Sequence, residues 1–372
     1  MSSVINLGLD DRKKVVASAS ILPAYLPWVD VLRFFACFLV IILHAVPSAP
    51  AGLGHAGVAL FFSISGFLIG RVLIDNGDLS RFYSRRFLRI YPLYFVTLVL
   101  LGVLLLPPFT HNLAESHTYW KNIQYYLTFT FQLSPDSNHL PLMVVWSLCV
   151  EELFYLLLPI IFLLRRKILI GIVLATIVGV LLVPRFFLFP NGAAVWFLFP
   201  LNLFFGVFLA LMNPKKRSWF PFIAIVAVSL LVTNAWMGWF QVFGPVSALL
   251  CTGTVWSLAV LDFRLPKLFE PLRWMGKLSY GMYLLHLFCL SAFIRILVKM
   301  PLHGIHVYLL VATTVASSAF ASWIMQVCIE NPSLKFRKTV QVYPQLRYLL
   351  ATVQVSLIPI GVFLATLHRA NF

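Results

Sequence analysis

Long apolar runs alternate with short polar connections along almost the whole chain, and the runs approach the length of membrane-spanning helices. A spanning helix needs about 20 mainly apolar residues, because the hydrocarbon core is about 30 Å thick and each helical residue rises about 1.5 Å. The pattern therefore predicts an all-α, polytopic transmembrane helical bundle of about ten to eleven spans. The eleven predicted spans cover residues 28–47, 56–74, 90–106, 142–164, 168–188, 193–212, 219–237, 242–262, 277–298, 304–328 and 346–367.

A short aromatic segment, YWKNIQYYLTFTFQL, lies between the third and fourth predicted spans. Its length favours an interfacial or re-entrant helix over a full crossing. A crossing at this position is the alternative, and it would change the number of spans.

Composition and charge support a membrane protein and give it an orientation. Hydrophobic residues make up 61% of the chain and charged residues 11%, and the mean hydropathy is +0.92, whereas soluble domains carry about 25% charged residues. Cytoplasmic connections collect Lys and Arg. With a cytoplasmic N-terminus, all but five of the 28 Lys and Arg residues fall on the inner side, so we expect that orientation.

The net charge of +16 follows from this arrangement, because basic inner connections attract anionic headgroups of membrane lipids. We therefore expect no nucleic-acid partner.

The five cysteines lie in apolar spans without paired spacing, which is typical of packing residues. We expect residues 1–27 to form a cytoplasmic segment without a cleavable signal, residues 28–367 one transmembrane domain, and residues 368–372 a short tail.

The first span carries ionisable groups, with Asp30 and Arg33 near its start and His44 near its end. Arg33 and His44 are eleven residues apart, which places them within about 20° around a helix and about 16 Å along it. A charged side chain at the bilayer centre costs about 2.5–3.5 kcal/mol or more and often marks a functional site. The alternatives are that Arg33 reaches the headgroups or pairs with Asp30, and that His44 is a packing residue.

A basic connection, RFYSRRFLRIYP, precedes the third span and contains Arg85, Arg86 and Arg89. On a helix, Arg89 would be a neighbour of both other arginines. Guanidinium groups bind phosphate oxygens two at a time, so this cluster leaves room for a phosphate-bearing ligand besides its role as a topology signal.

Two other spans contain polar or small residues. Ser65 and Gly66 lie in GVALFFSISGFLIGR, where small residues also allow close helix packing. Glu151 and Glu152 are adjacent in VVWSLCVEELFYLLLP and point about 100° apart, so at most one of them is expected in a shared site. Trp146, in the same run, is a candidate interfacial anchor.

Six sequence elements in order resemble the membrane acyltransferase 3 family, whose members O-acylate cell-envelope or secreted carbohydrates. The elements are DVLRFFACFLVIILHA, GVALFFSISGFLIG, RRFLRIYP, WSLCVEELFYLLLP, MGKLSYGMYLLH and IENP. The resemblance extends from about Asp30 to Pro332. Many relatives carry a fused esterase-like domain, and this chain departs from them, so we expect a stand-alone form.

The resemblance also implies roles for individual residues. His44 would be the catalytic histidine, Arg33 its required partner eleven residues earlier, and Arg86 and Arg89 would engage the acyl-CoA donor. Glu151 matches the carboxylate of the WSLxxE element. Further candidates for substrate binding or structure are Asp30, Ser65, Gly66, Trp146, Glu152, Tyr280, Tyr283, His286 and Glu330.

The predicted function is transfer of an acyl group, with acetyl-CoA as the expected donor, to a hydroxyl of a carbohydrate or lipid-linked sugar at a bacterial inner membrane. His44 would act as a general base or carry the acyl group, and Glu151 would orient it. No sequence spacing calls for a metal.

The rival class is a transporter or flippase of an anionic or lipid-linked solute, but the chain lacks the internal repeats typical of many transporters. A purely structural role would leave the buried charges unexplained.

Overall fold

The computed structural model describes residues 25–75, 78–105, 113–136, 142–162, 194–212, 245–260, 265–297 and 305–370, with short stretches at 226–227, 229–231 and 233. Within these ranges the chain is helical and contains no strand. The helices are α1 (Pro27–Ala45), α2 (Ala51–Asp75), α3 (Leu79–Leu104), α4 (Leu113–Lys121), α5 (Ile123–Leu127), α6 (Val145–Ile161), α7 (Ala194–Met212), α8 (Pro245–Ala259), α9 (Glu270–Lys277), α10 (Ser279–Leu297), α11 (Ile305–Met325), α12 (Asn331–Val342) and α13 (Pro344–Ala370). A π-helical turn, Gln326–Glu330, joins α11 to α12.

These helices confirm the predicted all-α architecture. Nine predicted spans coincide with α1, α2, α3, α6, α7, α8, α10, α11 and α13. The predicted span 168–188 lies outside the described residues, as does most of the span 219–237. Within the described ranges, five helices are long and apolar enough to cross a membrane, and a sixth span results if the bent pair Lys267–Lys277 and Ser279–Ile294 counts as one. The total of ten to eleven spans and the cytoplasmic N-terminus stay predictions.

The expected third span begins earlier than predicted, because the basic connection before it is helical. Residues 81–92 form the first turns of α3 instead of a loop. The side chain of Asp78 caps this helix by accepting a 3.1 Å hydrogen bond from the Arg81 N–H. Pro92 lies inside the same helix. The hydropathy pattern detected only the later, apolar part of α3. Because the basic segment is helical as well, Arg85, Arg86 and Arg89 lie on one continuous helix.

The aromatic segment after α3 folds as the short helices α4 and α5, followed by the 3₁₀ turn Phe131–Leu133. Each piece is too short to cross a bilayer, as the sequence favoured. Tyrosine hydroxyls of α3 hold the segment in place: Tyr91 donates to the Leu127 carbonyl at 2.9 Å and Tyr94 to the Tyr126 carbonyl at 2.9 Å.

Helix α2 is the central packing element and contacts α1, α7 and α8. Two glycines permit its approach to α7: an added Cβ at Gly66 would overlap the Leu203 carbonyl, and one at Gly206 would overlap the Ser63 carbonyl. Asn202 of α7 reinforces the contact by donating to the Ala59 carbonyl at 3.3 Å. Such close approach of small residues is the usual way in which helices associate inside a membrane.

On the other side of the bundle, α12 and α13 pack against α3. Ser333 donates a 2.6 Å hydrogen bond to the Leu88 carbonyl, and Arg347 forms a 3.6 Å ion pair with Asp78. These contacts hold the arginine-bearing turns of α3 against α12 and α13. On its other side, α3 forms the wall of a cavity together with α1, α2 and α6.

Candidate active site

A cavity of about 700 Å³ lies among α1, α2, α3, α6, α10 and the π-helical turn. Its described lining carries more positive than negative side chains. The basic residues are Arg33, Arg71, Arg86, Arg89, Lys277 and Arg337, and the acidic residues are Asp30, Glu151 and Glu330. The structure therefore brings the predicted residues Arg33, Arg86, Arg89 and Glu151 to one cavity.

Arg86 is held in the cavity by aromatic rings. Its guanidinium carbon lies 4.9 Å from the ring centre of Tyr155 and 5.7 Å from that of Phe82. Cation–π contacts of this kind orient a guanidinium without neutralising its charge. Arg86 therefore keeps its positive charge available to a ligand.

Glu151 accepts hydrogen bonds on both carboxylate oxygens. Ser65 donates to Oε1 at 2.8 Å, and Tyr155 donates to Oε2 at 3.0 Å. The adjacent Glu152 lies off the cavity, is 2% exposed, and accepts a hydrogen bond from Gln354 of α13. This separation agrees with the 100° offset of neighbouring helical residues.

At the N-terminal end of α1, Arg33 Nη1 lies 3.9 Å from Asp30 Oδ1. The pairing proposed as an alternative role for Arg33 therefore exists, although Arg33 also lines the cavity. The Nε–H of Arg33 is buried without a hydrogen-bond partner among the described residues. It is a donor that a bound anion can satisfy.

Tyr25, just before α1, closes the same region of the cavity. Its hydroxyl donates a 2.6 Å hydrogen bond to Asp30 Oδ2, and the Lys277 ammonium lies 5.5 Å from its ring centre. Burial, followed by the hydrogen bond and charge of Asp30, raises the pKa of Tyr25 to about 12. The hydroxyl therefore stays protonated near neutral pH and remains a donor.

The π-helical turn contributes Gln326 and Glu330 to the cavity wall. Turns of this type often occur at functional sites, because they shift the register of side chains along a helix. Tyr280 of α10 lines the cavity as well and donates a 2.9 Å hydrogen bond to the Ile90 carbonyl of α3.

Tyr283 and Ser147 mark the part of the cavity that leads towards the C-terminal end of α1. Their hydroxyls lie 2.8 Å apart, and the Tyr283 hydroxyl also donates to the Val144 carbonyl at 3.0 Å. The ring of Phe61 meets the ring of Tyr283 edge to face, with 5.9 Å between their centres. These contacts hold the Tyr283 ring against this wall when no donor is bound.

His44 does not line the cavity. It lies in the last turn of α1, its side chain is exposed, and its Nδ1 is 2.9 Å from the Val40 carbonyl. Its ring centre is 5.1 Å from that of His286, which in turn is 5.9 Å from that of Tyr283. The rings of Tyr283 and His286 thus form a layer between the cavity and His44. Within the described residues, no hydrogen bond or ion pair joins Glu151 to His44.

Other candidate residues also lie off the cavity. Gly66 packs against α7, and Trp146 meets Phe62 edge to face at 6.3 Å. Arg85 is not part of the cavity lining and lies near Arg337 and Arg81. The roles of these residues in ligand binding stay predictions.

Sequence reasoning missed several lining residues. Tyr155 follows Glu151 by four residues, so helical spacing could have identified it as a neighbour on the same face. Arg71, Lys277 and Arg337 belong to the basic residues expected on the inner side, and their convergence on the cavity depends on tertiary packing. Ser147 lies in the WSLxxE element, but nothing in the sequence pointed to its side chain. Tyr25, Phe61 and Gln326 carried no signal that separates them from other membrane residues.

The lining suits a ligand with phosphate groups and an uncharged arm. Several guanidinium groups can bind phosphate oxygens, Arg33 has an unused donor, and the wall beyond them is formed by apolar and hydroxyl-bearing side chains. The volume falls within the range of about 300–1,000 Å³ usual for small-molecule sites.

Comparisons with known proteins give a matching family model and several similar proteins. A family model described as an acyltransferase domain matches residues 26–325. The peptidoglycan O-acetyltransferase OatA of Listeria monocytogenes is 29% identical over 316 residues, which are 70% of this chain and 49% of that protein. The O-acetyltransferase OatA of Staphylococcus aureus is 34% identical over 166 residues, which are 39% of this chain and 26% of that protein.

The matched region of this chain thus corresponds to about half of the Listeria protein and about a quarter of the Staphylococcus protein. No solved structure matches the chain.

Proposed function

The chain belongs to the acyltransferase family whose domain covers residues 26–325, and from this premise we propose that it is an integral membrane O-acetyltransferase. It moves an acetyl group from cytoplasmic acetyl-CoA to a hydroxyl of a cell-envelope carbohydrate. The observation that carries the proposal is the cationic cavity, which is linked to His44 through Tyr283 and His286.

The donor binds through its phosphate groups. Arg86 and Arg89 project from the first turns of α3, and Arg33 adds an unsatisfied Nε–H donor from α1. Since Arg33 lies about 16 Å from His44 along the same helix, it acts on the donor and not on the reacting atoms. The pantetheine arm extends from these arginines towards Tyr283.

His44 is the base in the transfer. Its Nδ1 faces the Val40 carbonyl, which can only accept a hydrogen bond, so the neutral ring carries its proton on Nδ1 and a lone pair on Nε2. That lone pair removes the proton of the acceptor hydroxyl while the oxygen attacks the thioester carbonyl. The carbon–sulfur bond breaks, and the CoA thiolate takes the proton. In the covalent variant, Nε2 carries the acetyl group between donor and acceptor.

The acetyl group reaches His44 only if the layer of rings opens. Tyr283 is held by Ser147 and the Val144 carbonyl, whereas His286 stands between Tyr283 and His44 in the line of ring contacts. Rotation of the Tyr283 and His286 rings would extend the cavity in this direction. The mechanism therefore includes movement of both rings after the donor binds.

The acceptor is proposed from the relatives, whose names specify O-acetylation and, in the Listeria protein, peptidoglycan. His44 is exposed at the C-terminal end of α1, so a carbohydrate hydroxyl can approach it from outside the cavity. The carbohydrate is either free or attached to a lipid carrier. With a cytoplasmic N-terminus, this end of α1 faces the outer side of a bacterial plasma membrane. The donor and the acceptor then enter from opposite sides.

The test uses purified protein in lipid nanodiscs, radiolabelled acetyl-CoA and soluble peptidoglycan fragments. His44→Ala should reduce acetyl transfer by about 100-fold or more, because a general base contributes on that order. It should leave CoA binding unchanged. His306→Ala, a histidine outside the cavity in α11, is the matched control.

Equal transfer by wild type and His44→Ala would refute the catalytic assignment. In sealed vesicles, movement of an intact solute without consumption of acetyl-CoA would instead favour the transporter or flippase.

A further inference from the structure

Two of the carboxylates that line the cavity are bonded to hydroxyl groups. Asp30 Oδ2 accepts a 2.6 Å hydrogen bond from the Tyr25 hydroxyl. The two oxygens of Glu151 accept hydrogen bonds from Ser65 and Tyr155. A hydroxyl satisfies the lone pairs of a carboxylate but brings no positive charge. The arrangement therefore leaves guanidinium charge in the cavity for an anionic ligand.

Arg33 stands beside Asp30 but does not make a close ion pair with it. Arg33 Nη1 lies 3.9 Å from Asp30 Oδ1, whereas hydrogen bonds from a guanidinium to a carboxylate are about 2.7–2.9 Å long. The Nε–H of Arg33 is buried and has no hydrogen-bond partner in the part of the chain that the structure describes. Because the bond between two such charges is strong, the open gap points to a competing interaction of the carboxylate.

The hydroxyl of Tyr25 is this competing partner. Leu26, the N-cap of α1, is extended, so the chain before it does not continue along the helix, and the Tyr25 side chain reaches Asp30 in the first turn. The bond of 2.6 Å has a length typical of a hydroxyl that donates to an ionised carboxylate. One oxygen of Asp30 is therefore bound on the side away from Arg33.

Helix α9 holds both partners of this bond. An added Cβ at Gly276 would overlap the Asp30 carbonyl, so the backbones of α1 and α9 are in contact at Asp30. The next residue, Lys277, places its ammonium 5.5 Å from the centre of the Tyr25 ring, which is a cation–π contact. The carboxylate could then approach Arg33 only by a change of its own rotamer.

We propose that Tyr25 is a positioning residue for donor binding: its hydroxyl holds the Asp30 carboxylate away from Arg33, whose guanidinium then stays available to a phosphate group of acetyl-CoA. This inference rests on the proposed function, because it takes acetyl-CoA as the ligand of the cavity. Tyr25 acts through Asp30 and makes no bond to the donor. Without the hydroxyl, the carboxylate pairs with Arg33, and a phosphate group has to displace it.

The effect appears in donor affinity and not in turnover. Shortening the distance between two unit charges from 3.9 Å to about 2.8 Å corresponds to roughly a tenfold change in an equilibrium constant, at an effective dielectric constant of about 20. Binding of the phosphate group loses about this factor to the competing carboxylate. Since Arg33 lies about 16 Å from His44 along α1, the chemical step is not affected.

A double-mutant cycle isolates the contact between Tyr25 and Asp30. Isothermal titration with CoA in lipid nanodiscs gives the Kd of the wild type, Tyr25→Phe, Asp30→Asn and the double variant. Tyr25→Phe should raise the Kd for CoA and the KM for acetyl-CoA about tenfold and leave kcat unchanged. In the Asp30→Asn background, the same change should alter the Kd by less than about twofold, because asparagine has no charge with which to compete for Arg33.

Tyr308→Phe, at an exposed tyrosine of α11, is the matched control and should bind CoA like the wild type. Wild-type affinity in Tyr25→Phe would overturn the inference. An equal loss in the two backgrounds would overturn it as well, because the hydroxyl would then bond to CoA directly instead of acting through Asp30.

The experiment distinguishes this inference from the proposed function. A wild type that binds CoA and transfers acetyl groups to peptidoglycan fragments, together with an unchanged Kd in Tyr25→Phe, rejects the role of Tyr25 alone. A wild type that binds no CoA rejects the function on which that role depends.

Discussion

The hydroxyl of Ser65 donates a 2.8 Å hydrogen bond to Glu151 Oε1, and this contact joins α2 to α6 at the cavity wall. The second oxygen of Glu151 is held by Tyr155, whose ring also lies under Arg86. The carboxylate, the phenol and the guanidinium therefore form one unit. A change in Glu151 is expected to alter the charge of the cavity, whereas a change in Tyr155 is expected to alter the position of Arg86.

The first prediction concerns the charge of Glu151. Glu151→Gln removes a negative charge from a cavity proposed to bind a polyanionic donor, so the Kd for CoA should fall by about tenfold. Turnover should fall as well if Glu151 has a second role in the transfer. Isothermal titration with CoA, together with steady-state kinetics, measures both effects. Glu115→Gln on α4 is the control, and weaker CoA binding by Glu151→Gln would contradict the electrostatic argument.

The second prediction separates the ring of Tyr155 from its hydroxyl. Tyr155→Phe keeps the aromatic face under Arg86 and loses the bond to Glu151, whereas Tyr155→Leu loses both. Because a cation–π contact is worth about 1 kcal/mol, the Leu variant should bind CoA roughly fivefold more weakly than the Phe variant. Equal dissociation constants for the two variants would show that the ring does not position Arg86.

The third prediction tests the contact between α2 and α7. Gly66→Ala should destabilise the protein, because the added methyl group would overlap the Leu203 carbonyl. Gly253→Ala in α8 is the matched control, since its Cβ would meet no atom within 4 Å. It should be neutral or stabilising by about 0.5–1 kcal/mol, the helix propensity difference between Gly and Ala. Thermal unfolding in detergent measures the difference, and a stable Gly66→Ala protein would show that α7 can move away at little cost.

The sequence predicted the helices well because a membrane span is a local property. The apolar runs located α1 and α2 to within a few residues, apart from the start of α2. The predicted start of α3 was wrong, because the apolar run covered only part of a helix that begins at Leu79. Aspartate is a common N-cap residue, but Asp78 alone did not distinguish a helix from a basic loop beside a predicted span.

The site was only partly predictable, since it depends on how helices rotate against one another. The spacing of Arg33 and His44 placed them on one stripe, yet only Arg33 faces the cavity. The difference arises because α10 inserts Tyr283 and His286 next to the C-terminal part of α1. No pattern within the first span could predict this neighbour, and the catalytic role of His44 stays a prediction.

The fourth prediction concerns the buried pair Glu152 and Gln354, which ties α6 to α13. Glu152 Oε1 and Gln354 Oε1 are both buried and have no hydrogen-bond partner within the part of the chain that the structure describes. A single proton on Glu152 would satisfy both atoms, because the acid O–H could donate to the amide oxygen. Glu152→Gln should therefore preserve the pair and the unfolding temperature, since a second amide can make the same two hydrogen bonds.

Gln354→Leu is the contrasting variant. It leaves the carboxyl group buried with no donor or acceptor opposite it, so it should cost about 1–3 kcal/mol. The unfolding temperature in detergent decides between the two expectations. A loss in Glu152→Gln as large as that in Gln354→Leu would mean that Glu152 is ionised in the folded protein.

The last prediction concerns pH and Asp78, which lies outside the membrane spans at the start of α3. Burial tends to raise the pKa of this carboxyl, but the hydrogen bonds from Ser80 and the Arg81 N–H, together with the charges of Arg347 and Arg81, hold it below its ordinary value. The folded state therefore favours the carboxylate more strongly than the unfolded state does. This contribution to stability is present above the unfolded pKa of about 3.9 and is lost as the pH falls through the lower, folded pKa.

Asp78→Asn isolates the charge, because asparagine caps a helix about as well as aspartate but does not ionise. Between about pH 5 and pH 3, the unfolding temperature of the wild type should fall more steeply than that of the Asn variant. Asp78→Ala should be less stable than Asn at every pH by about 1 kcal/mol, because it also loses the cap. Parallel pH curves for the wild type and Asn variant would mean that the ion pair with Arg347 adds nothing to the anchoring of α13 on α3.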